Sequence, residues 1–152
     1  MCLVPLLLVR TAGAVIAIGA GRDVMFAPGA RALFLNYRPN GQHLDYFAGG
    51  WRGQYHDEFY GAGYHCRIEH LSLNLGVTYV TKETDINGTR WNFAIRAAYL
   101  LGPHWALAYR HISNADVLFH WSAGPNRGWN FLGVDYRFGE ANNRGAGQTC
   151  WP

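Results

Sequence analysis

Leu71-Ser72-Leu73-Asn74-Leu75-Gly76-Val77-Thr78-Tyr79 is the stretch on which the fold turns. Leu71, Leu73, Leu75, Val77 and Tyr79 fall on one side of an extended chain, and Ser72, Asn74, Gly76 and Thr78 fall on the other. A strand alternates its side chains with a period of two, whereas a helix would scatter these residues around its circumference. The same alternation returns in Trp91, Phe93, Ile95, Ala97 and Tyr99 against Asn92, Ala94, Arg96 and Ala98. It returns again in Leu132, Val134, Tyr136 and Phe138 against Gly133, Asp135 and Arg137. A soluble sandwich or barrel turns its large apolar side chains inward and its charges outward. Here the second face is too small and too charged for that. An eight-stranded barrel has an interior just wide enough for side chains, so small residues and a few paired charges would fill it, while rows of leucine and aromatics suit lipid. The apolar face is therefore read as the outside.

Turn signals on either side of these segments divide residues 14–138 into strands at 14–21, 31–38, 43–52, 59–68, 71–81, 90–101, 104–115 and 130–138. Tight turns at Pro39-Asn40-Gly41, Glu69-His70 and Gly102-Pro103 alternate with longer connections at 22–30, 53–58, 82–89 and 116–129. Outer-membrane barrels alternate short periplasmic turns with long extracellular loops in this way. The expected fold is all-β, an eight-stranded antiparallel up-and-down outer-membrane β-barrel over 14–138, placed in the bacterial outer membrane. Residues 139–152 read as a C-terminal tail of no predicted structure. Residues 1–13 read as a signal remnant: Met1 to Val9 is apolar, Arg10 closes it, and Ala12-Gly13-Ala14 matches an A-x-A cleavage site. A misplaced start codon upstream of a mature barrel would look the same. The run is too short to span a bilayer as a helix.

Composition narrows the function. The 152 residues suit one domain, 49% are hydrophobic, and only 15% are charged, which excludes a disordered chain. The net charge of +3 comes from scattered arginines and one lysine without a basic run, so no nucleic-acid partner is expected. With Cys2 set aside, Cys66 and Cys150 are too few for a disulfide scaffold and fit no zinc spacing, and no function is assigned to them. His43, His56, His65 and His104 show no ligand spacing, so no metal is expected. Arg96, Arg110, Asp135 and Arg137 share the inner face and are expected to form an ion-pair network. The aromatic excess is read as an interfacial belt.

Two polar residues break the pattern. In Trp105-Ala106-Leu107-Ala108-Tyr109-Arg110-His111-Ile112-Ser113, parity puts His111 and Ser113 on the lipid face with Trp105, Leu107 and Tyr109. At about 3.3 Å per residue and a tilt near 40°, His111 stands roughly 18 Å above the periplasmic edge of the apolar band, at outer-leaflet depth. A serine hydroxyl becomes a nucleophile when an imidazole takes its proton, and i, i+2 positions put both groups on one surface. His-x-Ser alone is weak, since it recurs at His70-Leu71-Ser72 and His120-Trp121-Ser122. The former has its serine on the inner face, and the latter falls in a loop without fixed parity.

Arg110-His111-Ile112-Ser113-Asn114-Ala115, then Pro125-Asn126-Arg127-Gly128-Trp129-Asn130-Phe131, then Leu132 to Phe138, resembles the lipid A 3-O-deacylase family of outer-membrane acyloxyacyl hydrolase-like barrels. The resemblance implies an esterase acting on lipid A, the membrane anchor of lipopolysaccharide, without a cofactor. It implies Ser113 as nucleophile, His111 as base, and Asn114 as part of the oxyanion hole. Leu107 and Tyr109, below the dyad on the same wall, would receive the acyl chain. In the family a glutamate two residues after the glycine completes the triad, and here that position is Asn130. Parity puts Asn130 on the outer face, where its amide oxygen can accept the imidazole N–H but cannot offset the imidazolium charge, so a slower enzyme is expected. Asp116 to Gly124 is a longer insert than the pattern implies. Asp116 is either a substitute acid or a solvated loop residue, and Val117, Leu118, Phe119 and Trp121 either lean over the acyl chain or anchor the loop. Two rivals remain: a non-catalytic small outer-membrane barrel with a structural or adhesive role, and a soluble lipocalin-like carrier holding an apolar ligand inside.

Overall fold

A computed structural model of the chain describes residues 14–25, 27, 29–39, 42–53, 56–84, 88–114, 128–139 and 150. The signal remnant at 1–13 and the insert at 116–124 lie outside the described residues. The strands are β1 (Val15–Asp23), β2 (Arg31–Arg38), β3 (Leu44–Arg52), β4 (Asp57–Ile68), β5 (Leu71–Val80), β6 (Trp91–Leu100), β7 (Trp105–Ser113) and β8 (Trp129–Phe138). Each pairs antiparallel with the next, and β1 closes on β8, giving a closed eight-stranded barrel. Observed bounds depart from the expected ones by at most two residues, at β1, β4 and β7. One end of the barrel carries the tight turns and the other the long connections; they are called the turn end and the loop end below.

The outer wall is apolar. Leu33, Leu75 and Trp91 are 66%, 60% and 66% exposed, and their strand neighbours Ala32, Asn74 and Asn92 are buried. Water would meet this surface at a cost of about 25 cal/mol per Å², whereas hydrocarbon meets it at none.

Inside, two zones stack along the axis. Toward the turn end, Asp135 lies between two arginines, accepting from Arg110 Nη2 at 2.6 Å and from Arg96 Nη2 at 2.7 Å. Gly19 of β1 faces this carboxylate, and a methyl group there would collide with it. Arg137 shares the inner face without joining the ion pairs seen among the described residues. Asp45 forms a second group with Arg38 and His65, which places His65 in the interior.

Toward the loop end the expectation of a small, polar interior is overturned. Phe34, Trp51, Phe59, Trp129 and Phe131 are all buried there, with Trp51 and Trp129 4.6 Å apart and Phe34 and Phe131 5.5 Å apart between ring centroids. Part of the aromatic excess is thus a plug and not a belt. Glycine makes the room: a Cβ on Gly49 would stand 2.6 Å from Phe59 Cζ. The Arg110 guanidinium lies 4.0 Å from the Phe34 ring centroid and joins the two zones by a cation–π contact. Among the described residues, the two cavities beside Arg96 hold about 20 Å³ each, room for one water.

The cysteines also need correction. Cys66, on the outward face of β4 near the turn end, is disulfide-bonded to Cys150. Cys150 therefore lies beside β4. Two cysteines form no scaffold, but one bond across 84 residues of chain needs only an oxidising compartment.

Replacing Asp135 with Ala would leave two buried guanidinium groups facing each other without a carboxylate. Loss of about 3–5 kcal/mol is expected in urea unfolding of the refolded barrel.

Candidate active site

β7 and β8 are joined in a register that sets His111 directly opposite Asn130. Asn130 meets His111 and Tyr109 on the outer side of the sheet but is covered to 2% exposure, and Ser113 stands two residues along the same face of β7. His111 Nε2 lies 2.8 Å from Ser113 Oγ, and His111 Nδ1 lies 2.9 Å from Asn130 Oδ1. An amide oxygen only accepts, so Nδ1 carries the proton. Nε2 then presents its lone pair to the Ser113 hydroxyl, which donates. This is the tautomer that a general base requires.

Tyr109 enters the same chain. Its hydroxyl donates to Asn130 Oδ1 at 2.6 Å, although its partner in register is Leu132, so the contact is diagonal across the strand pair. The sequence assigns Tyr109 to the acyl chain. The structure adds a positioning role through Asn130, with the ring still 36% exposed on the wall.

The backbone of Asn130 is held from the interior by Asp23, which ends β1 and is 1% exposed. Asp23 Oδ2 accepts Asn130 N–H at 2.8 Å, while Oδ1 accepts the N–H groups of Met25 and Ala27 at 3.0 and 2.9 Å. One carboxylate thus ties the loop after β1 to the start of β8. Sequence reading did not single out Asp23; an aspartate closing a strand before Val-Met-Phe-Ala-Pro-Gly is the signal that would have found it.

Gly128 is the second residue whose role emerges only in three dimensions. It has φ +60, and a Cβ there would lie 2.8 Å from Ser113 Cβ and 3.0 Å from His111 Cε1. Only glycine takes that backbone conformation and that closeness without strain. Pro125, Asn126 and Arg127, the rest of its motif, lie outside the described residues, as do Asp116 and His120-Trp121-Ser122. Asn114 follows β7 directly and is buried at 8% exposed. The competing His70-Leu71-Ser72 is set aside, because Ser72 is buried on the inner face and its hydroxyl accepts from Arg96 Nη1 at 3.3 Å.

Around the dyad the wall is greasy. Ile95 stands opposite His111 and Phe93 opposite Ser113 on β6, each 43% exposed, and Leu107 and Leu132 are each 45% exposed. Among the described residues no group of three or more His, Cys, Asp or Glu side chains converges as metal ligands would. What remains is a hydrogen-bonded chain, Ser113 to His111 to Asn130, standing on an apolar surface.

No family model matches the chain, so the resemblance to the lipid A 3-O-deacylases rests on the motif residues and their geometry. No curated protein matches it either. Among solved structures, the outer membrane protein Ail of Yersinia pestis in a phospholipid bilayer nanodisc is similar, at 19% identity and a TM-score of 0.47, over 84% of this chain and 99% of that one.

Replacing Tyr109 with Phe removes one of the two donors that fix Asn130. A loss of about 0.5–1.5 kcal/mol of orientation is expected. It should be visible as broadening of the His111 Nδ1–H resonance in nitrogen-15 spectra, with the barrel itself unchanged.

Proposed function

We propose that the protein is an outer-membrane serine esterase that hydrolyses the 3-O-linked 3-hydroxyacyl chain of lipid A. The observation that carries this reading is the hydrogen-bonded series Ser113 Oγ, His111 Nε2, His111 Nδ1 and Asn130 Oδ1 on a wall that faces lipid. A half-buried histidine and serine on a lipid-facing wall are costly without a task. Outer-membrane placement is supported by the apolar wall, by the alternation of short turns with long connections, and by the disulfide between Cys66 and Cys150.

His111 Nε2 takes the Ser113 proton as Oγ attacks the ester carbonyl carbon. Asn114 and nearby backbone N–H groups hold the oxyanion of the tetrahedral intermediate. The intermediate collapses, the sugar 3-oxygen leaves, and Nε2 returns the proton to it. Water then repeats the sequence on the acyl-serine, with His111 again as base, and the free 3-hydroxy fatty acid departs. Asn130 holds the ring by its amide oxygen but leaves the imidazolium charge unbalanced, which makes each proton transfer slower than a carboxylate would. Leu107 and the Tyr109 ring offer the acyl chain a path toward the membrane centre. A substrate already concentrated in the outer leaflet needs only a shallow wall site, not the deep pocket of a soluble esterase.

The amide at position 130 also favours a second reading, a non-catalytic small outer-membrane barrel with a structural or adhesive role. Mass spectrometry of lipid A after incubation with the refolded barrel separates the two. The esterase removes one 3-hydroxyacyl chain, and Ser113→Ala lowers the rate by about 10⁴-fold or more. Asn130→Asp, which places a carboxylate at the same position, should raise kcat at least about tenfold. Unchanged lipid A with the folded wild type and with Asn130→Asp would establish the second reading.

A further inference from the structure

Three arginines stand side by side on the outer wall at the loop end. Arg22 is next to last in β1, Arg31 opens β2 and Arg52 ends β3. The register pairs Arg22 with Arg31 and Arg31 with Arg52, so the three are direct cross-strand neighbours. All three side chains are exposed on the outward face. Adjacent strands are about 4.8 Å apart, and like charges placed directly opposite each other destabilise a sheet. None of the ion pairs among the described residues involves any of them. On this face the acidic side chain nearest in register is Glu58, opposite Gly50, one outward position nearer the turn end than Arg52. A row of three like charges without a carboxylate in it calls for an anion from outside the chain.

The row continues to the dyad. Arg22 is paired with Leu132 of β8, and Leu132 with Tyr109 of β7. Two strand spacings, about 10 Å, therefore separate Arg22 from the tyrosine that fixes Asn130. On the turn-end side of the arginines the wall is hollowed. An open furrow runs there between β8 and β4, lined by Ala20, Leu33, Ala48, Gly50 and Leu132 and, beside Gly50, by Glu58. Guanidinium groups at the loop end and a largely apolar furrow beneath them suit an amphiphile with an anionic head and hydrocarbon tails.

We propose that Arg22, Arg31 and Arg52 form a binding site for the phosphate of a phosphorylated membrane lipid, whose acyl chains lie in the furrow beside Ala20, Ala48 and Gly50. Each guanidinium donates a fork of two N–H groups, a geometry that fits phosphate oxygens. Near the hydrocarbon boundary such pairs are less screened than in bulk water. The commitment to a membrane lipid, and not to free phosphate, follows from the furrow. In the esterase reading this site would hold a phosphorylated glycolipid with its ester within reach of Ser113. The refinement rests on that reading, but the binding itself does not.

The test uses the full chain with Ser113→Ala, refolded in neutral detergent, so that binding is measured without turnover. The probes are diphosphorylated lipid A, its phosphate-free counterpart, and inorganic phosphate. Diphosphorylated lipid A should bind at least tenfold more tightly than the phosphate-free form, and 10 mM inorganic phosphate should not displace it. Replacing the three arginines with Gln should abolish the preference, and Arg31→Gln alone should weaken it severalfold. Heat-modifiable mobility on gels checks that each variant is folded. Equal binding of both lipids, or an unchanged preference in the folded triple variant, would overturn the proposal. Displacement by inorganic phosphate would overturn the lipid assignment. If the lipid binds through the arginines and the chain with Ser113 intact leaves it uncleaved, the esterase reading fails and this site stands.

Discussion

One register ties the inside of this barrel to its outside. Pairing His111 with Asn130 also pairs Arg110 with Phe131 and Ala106 with Asp135, so dyad, aromatic plug and buried ion pairs share one alignment of β7 and β8. A slip of one residue would turn Asn130 inward and bring Asp135 out to lipid. The interior forbids that slip, because Asp135 has Arg96 and Arg110 as partners and Phe131 packs against Phe34. The outer Ser113–His111–Asn130 chain is thus positioned by contacts inside the barrel. Asp23 acts in the same way, holding Asn130 N–H from a fully buried carboxylate.

The wall and the arrangement of eight strands were legible because period-two alternation needs no tertiary information. Leu71 to Tyr79 and Leu132 to Phe138 each declare two faces, and size and charge decide which one is wet. His111, Ser113 and Asn130 could be placed on one face by parity alone. What parity could not supply was packing along the barrel axis. Phe34, Trp51 and Phe131 sit on the inner face, and the glycines that admit them, such as Gly49, face them across non-local strand pairs that one sequence does not reveal. Asp23 reaches Asn130 from 107 residues away, and Gly128 meets Ser113 across the connection between β7 and β8. The disulfide joins Cys66 to a tail whose return depends on three-dimensional proximity and not on spacing.

Among the described residues, aromatic rings and buried ion pairs occupy the interior. Charge and hydrogen-bonding groups on the outer wall gather near the loop end, with the Ser113–His111–Asn130 chain on β7 and β8 and the arginine row on β1 to β3. Elsewhere it carries the side chains a bilayer accepts without cost. The two groups lie along neighbouring strands of one continuous surface, so a single amphiphile in the outer leaflet could meet both. Substituting an amide for a carboxylate beside His111 removes a charge that lipid would have made expensive to hold. It also leaves no charge to balance an imidazolium, so under the proposed esterase reading the amide would slow turnover.

Covalent labelling of the nucleophile tests this picture most directly. The refolded barrel, treated with a long-chain alkyl fluorophosphonate and digested, should carry the phosphonyl group on Ser113, and His111→Ala should remove the label while the barrel stays folded. Absence of the adduct from the folded wild type, or equal labelling with and without His111, would contradict an activated serine on the barrel wall.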